Sequence, residues 1–248
     1  IGWAVGSEPR EVFNRRWFLK PGTMPVNPFG STNDLVKMNP ARASKDLDHP
    51  AGPTDPEIVL LSVQTADGQP LAVMANYSLH YVGGVADGHV SADYFAMCCE
   101  HLARLQQPTP QYPPFVAMLA NGTRGDINNN NFRNPRPRKP TYGQMRYVAT
   151  DVAQKVFDGL KDAKYSRDVS VAAAYRELPI DSRRPTEEQL AWAKKTIAEQ
   201  VHTPGGKANL PLIYAERTMR VAEYPATLEL PIQVMRIGDV CLATLPCE

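Results

Sequence analysis

Polar side chains follow strand-like apolar runs at three places in this sequence. The run "NYSLH" ends at His80 and is followed by glycines, the loop "NGTRGDIN" holds Asp126 and Asn128, and the run "LPCE" ends at Glu248. Sites in α/β proteins gather where strands end and loops begin, so these three places are the first candidates for chemistry.

His80 and Glu248 are the candidates for metal binding. A neutral imidazole and a carboxylate are ordinary Zn²⁺ ligands, and a catalytic zinc keeps one position open for water, whose pKa it lowers towards neutrality. Two ligands on separate strands are not a zinc motif, however. The spacing alone therefore leaves open that His80 is only a polar residue at the end of a strand.

The asparagine-rich loop offers two further hypotheses. Its alternating Asp and Asn residues from Asp126 onward are similar to a calcium loop, but Asn131 and Pro137 stand where such a loop needs Gly and Glu. A calcium site is therefore excluded. The adjoining segment "RNPRPRKP", residues 133–140, is either a solvated loop or a basic segment that binds phosphate or a lipid headgroup.

The elements that must position these residues can be predicted from turn and apolar patterns. Two aliphatic runs within residues 57–80 flank Asp67-Gly68, which predicts a β-hairpin. Their continuous apolarity predicts strands that are buried on both faces. The segment "PPFVAMLANG" predicts a short buried strand before the asparagine loop, and a second hairpin should turn at Gly238-Asp239.

Helices are predicted between these strands. One begins near Ser91 or Asp93, a second spans roughly residues 144–164, and a third follows Thr186 and two glutamates. The segment "LIYAERTMRVAEY" predicts a fourth. We therefore expect an α/β or α+β fold in which helices cover a mixed β-sheet, with residues 1–56 as long ordered loops of the same single domain, residues 1–248.

Composition narrows the function classes. The chain has 248 residues, of which 43% are hydrophobic and 21% charged, and its net charge is +1. This balance gives no support to nucleic-acid binding, and no segment approaches the roughly 18–20 apolar residues of a membrane span. Cys241 and Cys247 can either pair or stay free thiols.

Five segments, taken in order, resemble the neutral/alkaline (non-lysosomal) ceramidase family, and more closely its shorter bacterial, planctomycete-type members. They are "FNRRW", "DPEIVLLSVQTADGQPLAVMANYSLH", "SADY", "NGTRGDIN" and "LPCE". The resemblance implies a zinc-dependent amidase that cleaves the N-acyl bond of ceramide, with a lipid-like substrate. It also implies a secreted or periplasmic protein and leaves membrane-surface contact open. Both chain ends and the family pattern predict an internal, truncated fragment of the catalytic domain.

The resemblance also assigns roles by position. His80 and Glu248 correspond to zinc ligands, with further ligands expected outside this chain, and Asn14 and Arg15 correspond to a segment near the substrate. Asp126 corresponds to the aspartate of the family's active-site loop. Asn128 stands where that loop has its serine, and an amide can donate a hydrogen bond to an oxyanion but cannot act as a hydroxyl nucleophile.

Three hypotheses for function follow. The first is zinc-dependent hydrolysis of a ceramide-type amide, in which zinc-activated water is the nucleophile, Arg15 orients the substrate and Asp126 and Asn128 shape the loop beside the nucleophile. The second keeps the zinc but changes the bond to another amide or an ester. The third is a non-catalytic, secreted binding or structural protein, which the loss of the serine at Asn128 favours. The sequence does not predict an oligomeric state.

Overall fold

A computed structural model describes residues 1–107, 112–200 and 209–246. The strands are β1 (Gly2–Ser7), β2 (Phe13–Asn14), β3 (Arg16–Leu19), β4 (Lys37–Met38), β5 (Leu47–Pro50), β6 (Glu57–Gln64), β7 (Pro70–Tyr77), β8 (Val116–Asn121), β9 (Ile127–Asn128), β10 (Lys164–Tyr165), β11 (Val171–Asp181), β12 (Thr227–Ile237) and β13 (Val240–Thr244). The α-helices are α1 (Asp93–Gln106), α2 (Gly143–Gly159), α3 (Glu187–Glu199) and α4 (Leu210–Ala222), and a 3-10 turn spans Leu160–Asp162. This arrangement confirms the predicted mixed α/β class.

The main sheet has the strand order β10-β1-β6-β7-β8. Strands β1, β6, β7 and β10 pair antiparallel, whereas β7 and β8 pair parallel because α1 forms the crossover between them. The predicted turn at Asp67-Gly68 joins β6 to β7, and Gly68 adopts a φ of +89°, which glycine tolerates without steric cost.

The core lies between this sheet and the helix pair α1–α2. Ile58 and Leu60 of β6 and Val73, Ala75 and Tyr77 of β7 are buried against the helices. Their neighbours along each strand face the other way, and Val59 is 38% exposed. The prediction of strands buried on both faces was therefore wrong, because helices cover only one face of the sheet in the described part of the chain.

The N-terminal region holds more regular structure than the sequence predicted. Residues 2–7 form β1, a strand of the main sheet, and Ala4 packs into the core. The short strands β3, β4 and β5 form a second sheet, where Trp17, Leu47 and Phe132 make a separate small core. Residues 1–56 were predicted as long ordered loops, and β1 is a strand that the sequence did not predict, because its glycines obscure the alternation of its side chains.

The C-terminal third contains a three-stranded sheet in the order β11-β12-β13 and the helix pair α3–α4. The predicted hairpin turns at Gly238, and Thr186 caps α3 through a capping box with Gln189. None of the helices in the described part of the chain combines the length and apolarity that a membrane span needs.

Candidate functional site

The parallel pairing of β7 and β8 brings two of the predicted strand ends together. Tyr77 lies opposite Asn121 in the sheet register, and the backbone N–H of Gly122 donates to the carbonyl of Tyr77 at 3.1 Å. Because parallel strands end at the same sheet edge, the segment leading to His80 and the loop leading to Asp126 begin side by side.

Gly122 makes this junction possible. A Cβ at this position would lie 2.5 Å from Oγ of Ser78 and 2.8 Å from Oδ1 of Asn76. The two chain segments therefore approach more closely than any side chain larger than hydrogen would allow. The junction is a fixed contact on which the geometry of both loops depends.

Asn14 and Arg15 hold the second loop in place. The Nδ2 of Asn14 donates to Oδ2 of Asp126 at 2.8 Å, and the guanidinium of Arg15 donates to the carbonyl of Gly125 at 2.6 and 3.1 Å. The side chain of Asn14 is buried, and its Oδ1 accepts from the backbone N–H of Arg16 at 2.9 Å. These contacts tie β2 to the Asp126 loop; whether Asn14 and Arg15 also bind substrate stays a prediction.

Asn128 lies in β9, opposite Phe13 of β2. Its Nδ2 donates to Oδ1 of Asn39 at 3.3 Å, and its Oδ1 accepts from the backbone and side-chain amides of Asn130 at 3.2 and 3.0 Å. The bond to Asn39 is long for an N–H···O bond and hence weak. The amide of Asn128 is thus held by other asparagines.

His80 is half-buried at the end of the first loop segment. Its ring meets the ring of Tyr81 edge-on, with centroids 5.7 Å apart, and the guanidinium of Arg124 lies 5.6 Å from the Tyr81 ring centroid. A cation over an aromatic face is stabilising. Tyr81 therefore has contacts both with His80 and with the loop that carries Asp126.

Asp93 fixes the backbone that follows His80, a role the sequence did not predict. Its carboxylate accepts from the backbone N–H groups of Val82 and Gly83, each at 2.8 Å, and from that of Tyr94 at 2.7 Å. Asp93 is 5% exposed and has a φ of +56°, so it begins α1 in a conformation that is uncommon outside glycine. From "SADY" the sequence predicts only that a helix begins near Ser91 or Asp93.

His89 closes the far end of the same loop. Its Nδ1 lies 2.6 Å from the hydroxyl of Tyr142, and the backbone N–H of Tyr142 donates to the carbonyl of Gly84 at 2.9 Å. Gly83 and Gly84 both have positive φ values, +77° and +79°. The loop after His80 is therefore tied to the protein at both ends.

Buried carboxylates form a network behind this edge of the sheet. The carboxylate of Glu8 accepts from Arg10, that of Glu11 accepts from Arg136 at 2.8 and 2.9 Å, and the hydroxyl of Tyr77 donates to the carbonyl of Glu8 at 2.6 Å. Burial raises the pKa of Glu11 even though Arg136 opposes the shift. No sequence motif predicts this network, because its members are far apart in sequence.

Asp151 of α2 belongs to the same network. Burial and then the charge of Glu8 raise the pKa of Asp151, whereas for Glu8 burial is outweighed by the hydrogen bonds from Arg10, so its pKa is lowered. Arg10 also pairs with Asp151. The native protein thus keeps Glu8 ionised more readily than its neighbour.

The described residues do not by themselves complete a metal centre. Within residues 1–107, 112–200 and 209–246, no three His, Cys, Asp or Glu side chains converge on one point. Glu248 and Cys247 lie outside the described residues, so the predicted pairing of His80 with Glu248 and the thiol state of Cys247 stay predictions. His80 is the candidate ligand that the described part of the chain offers.

Comparison with known proteins yields a likeness of fold. No family model and no curated protein matches the sequence. A solved structure described as a ceramidase complexed with C2 is similar over 98% of this chain, with a TM-score of 0.55 and 14% identity. The neutral ceramidase of Pseudomonas aeruginosa gives a TM-score of 0.46 and 15% identity. This chain spans 40% and 39% of the lengths of those two chains.

Proposed function

We propose that this chain is part of a hydrolase that cleaves the N-acyl bond of a ceramide-type, lipid-like substrate. The observation that carries the proposal is the meeting of the His80 segment and the Asp126 loop at one sheet edge, braced by Asn14, Arg15 and Asp93. The solved structure of similar fold is a ceramidase, which supports the same reaction class. The proposal also includes that this protein is related to the shorter, planctomycete-type bacterial members of the ceramidase family.

We propose further that His80 and Glu248 are two ligands of a catalytic zinc whose remaining ligands lie outside this chain. Zinc would supply Lewis acidity, which polarises an amide carbonyl and lowers the pKa of water. The residues of this chain would do the positioning. Asp93 holds the backbone beyond His80, and Asn14 holds the carboxylate of Asp126 in one orientation.

Asn128 would act as a hydrogen-bond donor in this scheme. Its long bond to Asn39 is weak enough to be exchanged for a bond to a developing oxyanion. Since asparagine carries no hydroxyl, Asn128 cannot form a covalent acyl intermediate. The attacking group is then water, and the same arrangement would serve another amide or an ester.

A second candidate is a non-catalytic binding protein that keeps this fold. The observation that favours it is that both ends of the Asn128 amide are engaged by Asn39 and Asn130. A binding protein does not need the Asn128 amide to be free to donate a hydrogen bond to a transition state. The two candidates differ in whether the protein turns over any acylated substrate.

The proposal extends to the setting of the reaction. A ceramide-type substrate resides in membranes, so the protein would work at a membrane surface, and the resemblance to exported enzymes leads us to propose a secreted or periplasmic location. Fractionation of expressing cells tests the location, since recovery of all protein with the cytosol would contradict it.

Metal removal and a substrate panel test the proposed reaction. Full-length protein is dialysed against a chelator, reloaded with Zn²⁺ or Mg²⁺, and assayed with ceramide, another N-acyl amide and a matched ester. We expect hydrolysis to disappear on chelation and return with Zn²⁺ only. Hydrolysis of no substrate by the zinc-loaded protein would favour the binding protein instead.

A further inference from the structure

A basic cavity lies beside the loops that follow His80 and Asn128. It has a volume of about 360 Å³, which is within the size range of small-molecule sites. The cavity is lined by the glycine loop, by three asparagines and by four cationic side chains, those of Arg42, Arg136, Arg138 and Lys139. Among these described lining residues there is no carboxylate.

The positive charge at this cavity does not follow from the net charge of the protein. The protein has a net charge of only +1, yet four cationic side chains line one cavity. Arg136 is neutralised in part by its buried partner Glu11, at 2.8 Å. Arg42, Arg138 and Lys139 therefore carry the unbalanced positive charge. Asp93 is engaged behind the cavity by backbone N–H groups of Val82 and Gly83.

Arg42 provides a second, independent observation in favour of an anion in this cavity. Its Nη2 donates to the carbonyl of Arg136 at 2.5 Å, which fixes the guanidinium against the cavity wall. Its Nε is buried and has no acceptor among the described residues. An unsatisfied buried donor on a charged group is costly, and a negative charge bound in the cavity would offset the charge of this guanidinium.

We propose that this cavity binds a phosphate-class oxyanion, either free phosphate or the phosphate of a lipid headgroup. A phosphate monoester has about two negative charges and three terminal acceptor oxygens, and inorganic phosphate has one oxygen more, which suits several donors that converge from different chain segments. The guanidinium of Arg42, the side chains of Arg138 and Lys139 and the amides of the asparagines provide such donors. The site does not require that the chain be a hydrolase.

The segment "RNPRPRKP" thereby gains a specific role. The sequence left it as either a solvated loop or a phosphate-binding segment, because Arg138 and Lys139 are exposed. The cavity joins these exposed cations to Arg42, which is 96 residues before Arg138 in the chain (138 minus 42). Arg42 holds this loop through the carbonyl of Arg136 and adds its own charge to that of the exposed cations.

Calorimetry with inorganic phosphate tests the proposal on the full-length protein at low ionic strength, where surface charges are least screened. The variant Arg138→Gln with Lys139→Gln removes two exposed cations of the cavity. The control, Arg183→Gln with Lys194→Gln, makes the same charge change at exposed positions outside it. We expect phosphate affinity to fall by about tenfold or more in the cavity variant, and by less than about twofold in the control.

Further arms identify the source and class of the anion. Vesicles of phosphatidylcholine with and without phosphatidic acid are tested by co-sedimentation, and acetate is tested as a competitor. Binding of phosphatidic-acid vesicles alone, lost in the cavity variant, would assign the site to a lipid headgroup, whereas binding of inorganic phosphate would show that the free ion suffices. The exchange Arg138→Lys with Lys139→Arg keeps both positive charges. It should therefore bind the anion that the wild-type protein binds, unlike the cavity variant.

Three results would overturn the proposal. One is that the wild-type protein binds neither inorganic phosphate nor phosphatidic-acid vesicles. Another is that the cavity variant and its control weaken binding equally, which would indicate general electrostatic attraction. The last is that acetate competes as well as phosphate does. Thermal unfolding of both variants close to that of the wild type excludes misfolding as the cause, since all four substituted side chains are exposed.

Discussion

Replacing Asn14 by Asp should destabilise the protein in a strongly pH-dependent way. The substitution keeps the Oδ1 that accepts from Arg16, but it replaces the amide that donates to Asp126 across 2.8 Å by a second carboxylate oxygen. Two full charges at that separation repel by about 6 kcal/mol at an effective dielectric constant of about 20.

Protonation of one of the two carboxylates limits the cost of this repulsion. Placing a proton on a carboxyl group with an ordinary pKa of about 4 costs roughly 4 kcal/mol at pH 7 and below about 1 kcal/mol at about pH 4.5. The loss of unfolding free energy in Asn14→Asp should therefore approach roughly 2–4 kcal/mol at neutral pH, reduced from the upper bound by the partial exposure of Asp126. Near pH 4.5 a shared proton restores the hydrogen bond, and the variant should approach wild-type stability.

Asn14→Ala is the matched control. It removes a hydrogen bond to a charged acceptor and a second bond from the backbone of Arg16, at an expected cost of about 2–4 kcal/mol. This cost should change little between the two pH values because no new charge is introduced. Urea unfolding of wild type and both variants at the two pH values gives the comparison. Equal losses for Asn14→Asp at both pH values would refute the Asn14–Asp126 contact as described.

Three further predictions concern the same edge of the sheet. Asp93→Asn should cost about 2–3 kcal/mol in urea unfolding and loosen the loop after His80 in hydrogen exchange, because its carboxylate accepts two loop N–H groups. Gly122→Ala should cost about 1–3 kcal/mol in urea unfolding, since its Cβ would lie 2.5 Å from Oγ of Ser78. Burial and the charge of a neighbouring glutamate raise the pKa of Asp151 above its usual 3.8. The native state therefore binds more protons than the unfolded state from that value up to the raised pKa, and ionisation of Asp151 lowers stability as pH rises through this window. Asp151→Asn, which cannot ionise, should gain stability relative to wild type as the pH rises above about 4 in urea unfolding, and a constant difference would contradict the raised pKa.

Local signals in the sequence were enough to predict most elements. Asp67-Gly68 specified a hairpin because glycine accepts the positive φ of the turn, and Thr186 specified the start of α3 because its hydroxyl caps the first backbone amides. β1 was missed, since its strand character comes from pairing with β6 and not from its glycine-containing sequence. Whether a strand is covered on one face or both is a tertiary property that periodicity alone cannot give.

Only those features of the site that depend on local sequence could be predicted. The ends of β7 and β8 could be identified from the sequence, but that they end side by side depends on their parallel pairing through α1. Asp93 and the Glu8–Asp151 pair were hidden because their roles come from contacts with distant segments. The cavity at Arg42 was hidden likewise, since a single arginine in a loop has no distinguishing pattern.

The most direct test of the central proposal is the rate of ceramide cleavage by full-length His80→Ala, measured as the fatty acid and sphingoid base released. His49→Ala is the matched control, because His49 is an exposed histidine that stacks on Phe18 and belongs to β5, in a different sheet from β7 and β8. We expect His80→Ala to lose about a hundredfold or more in kcat/KM, and the control to stay close to wild type. Full activity in His80→Ala would contradict the proposal that this histidine serves the reaction.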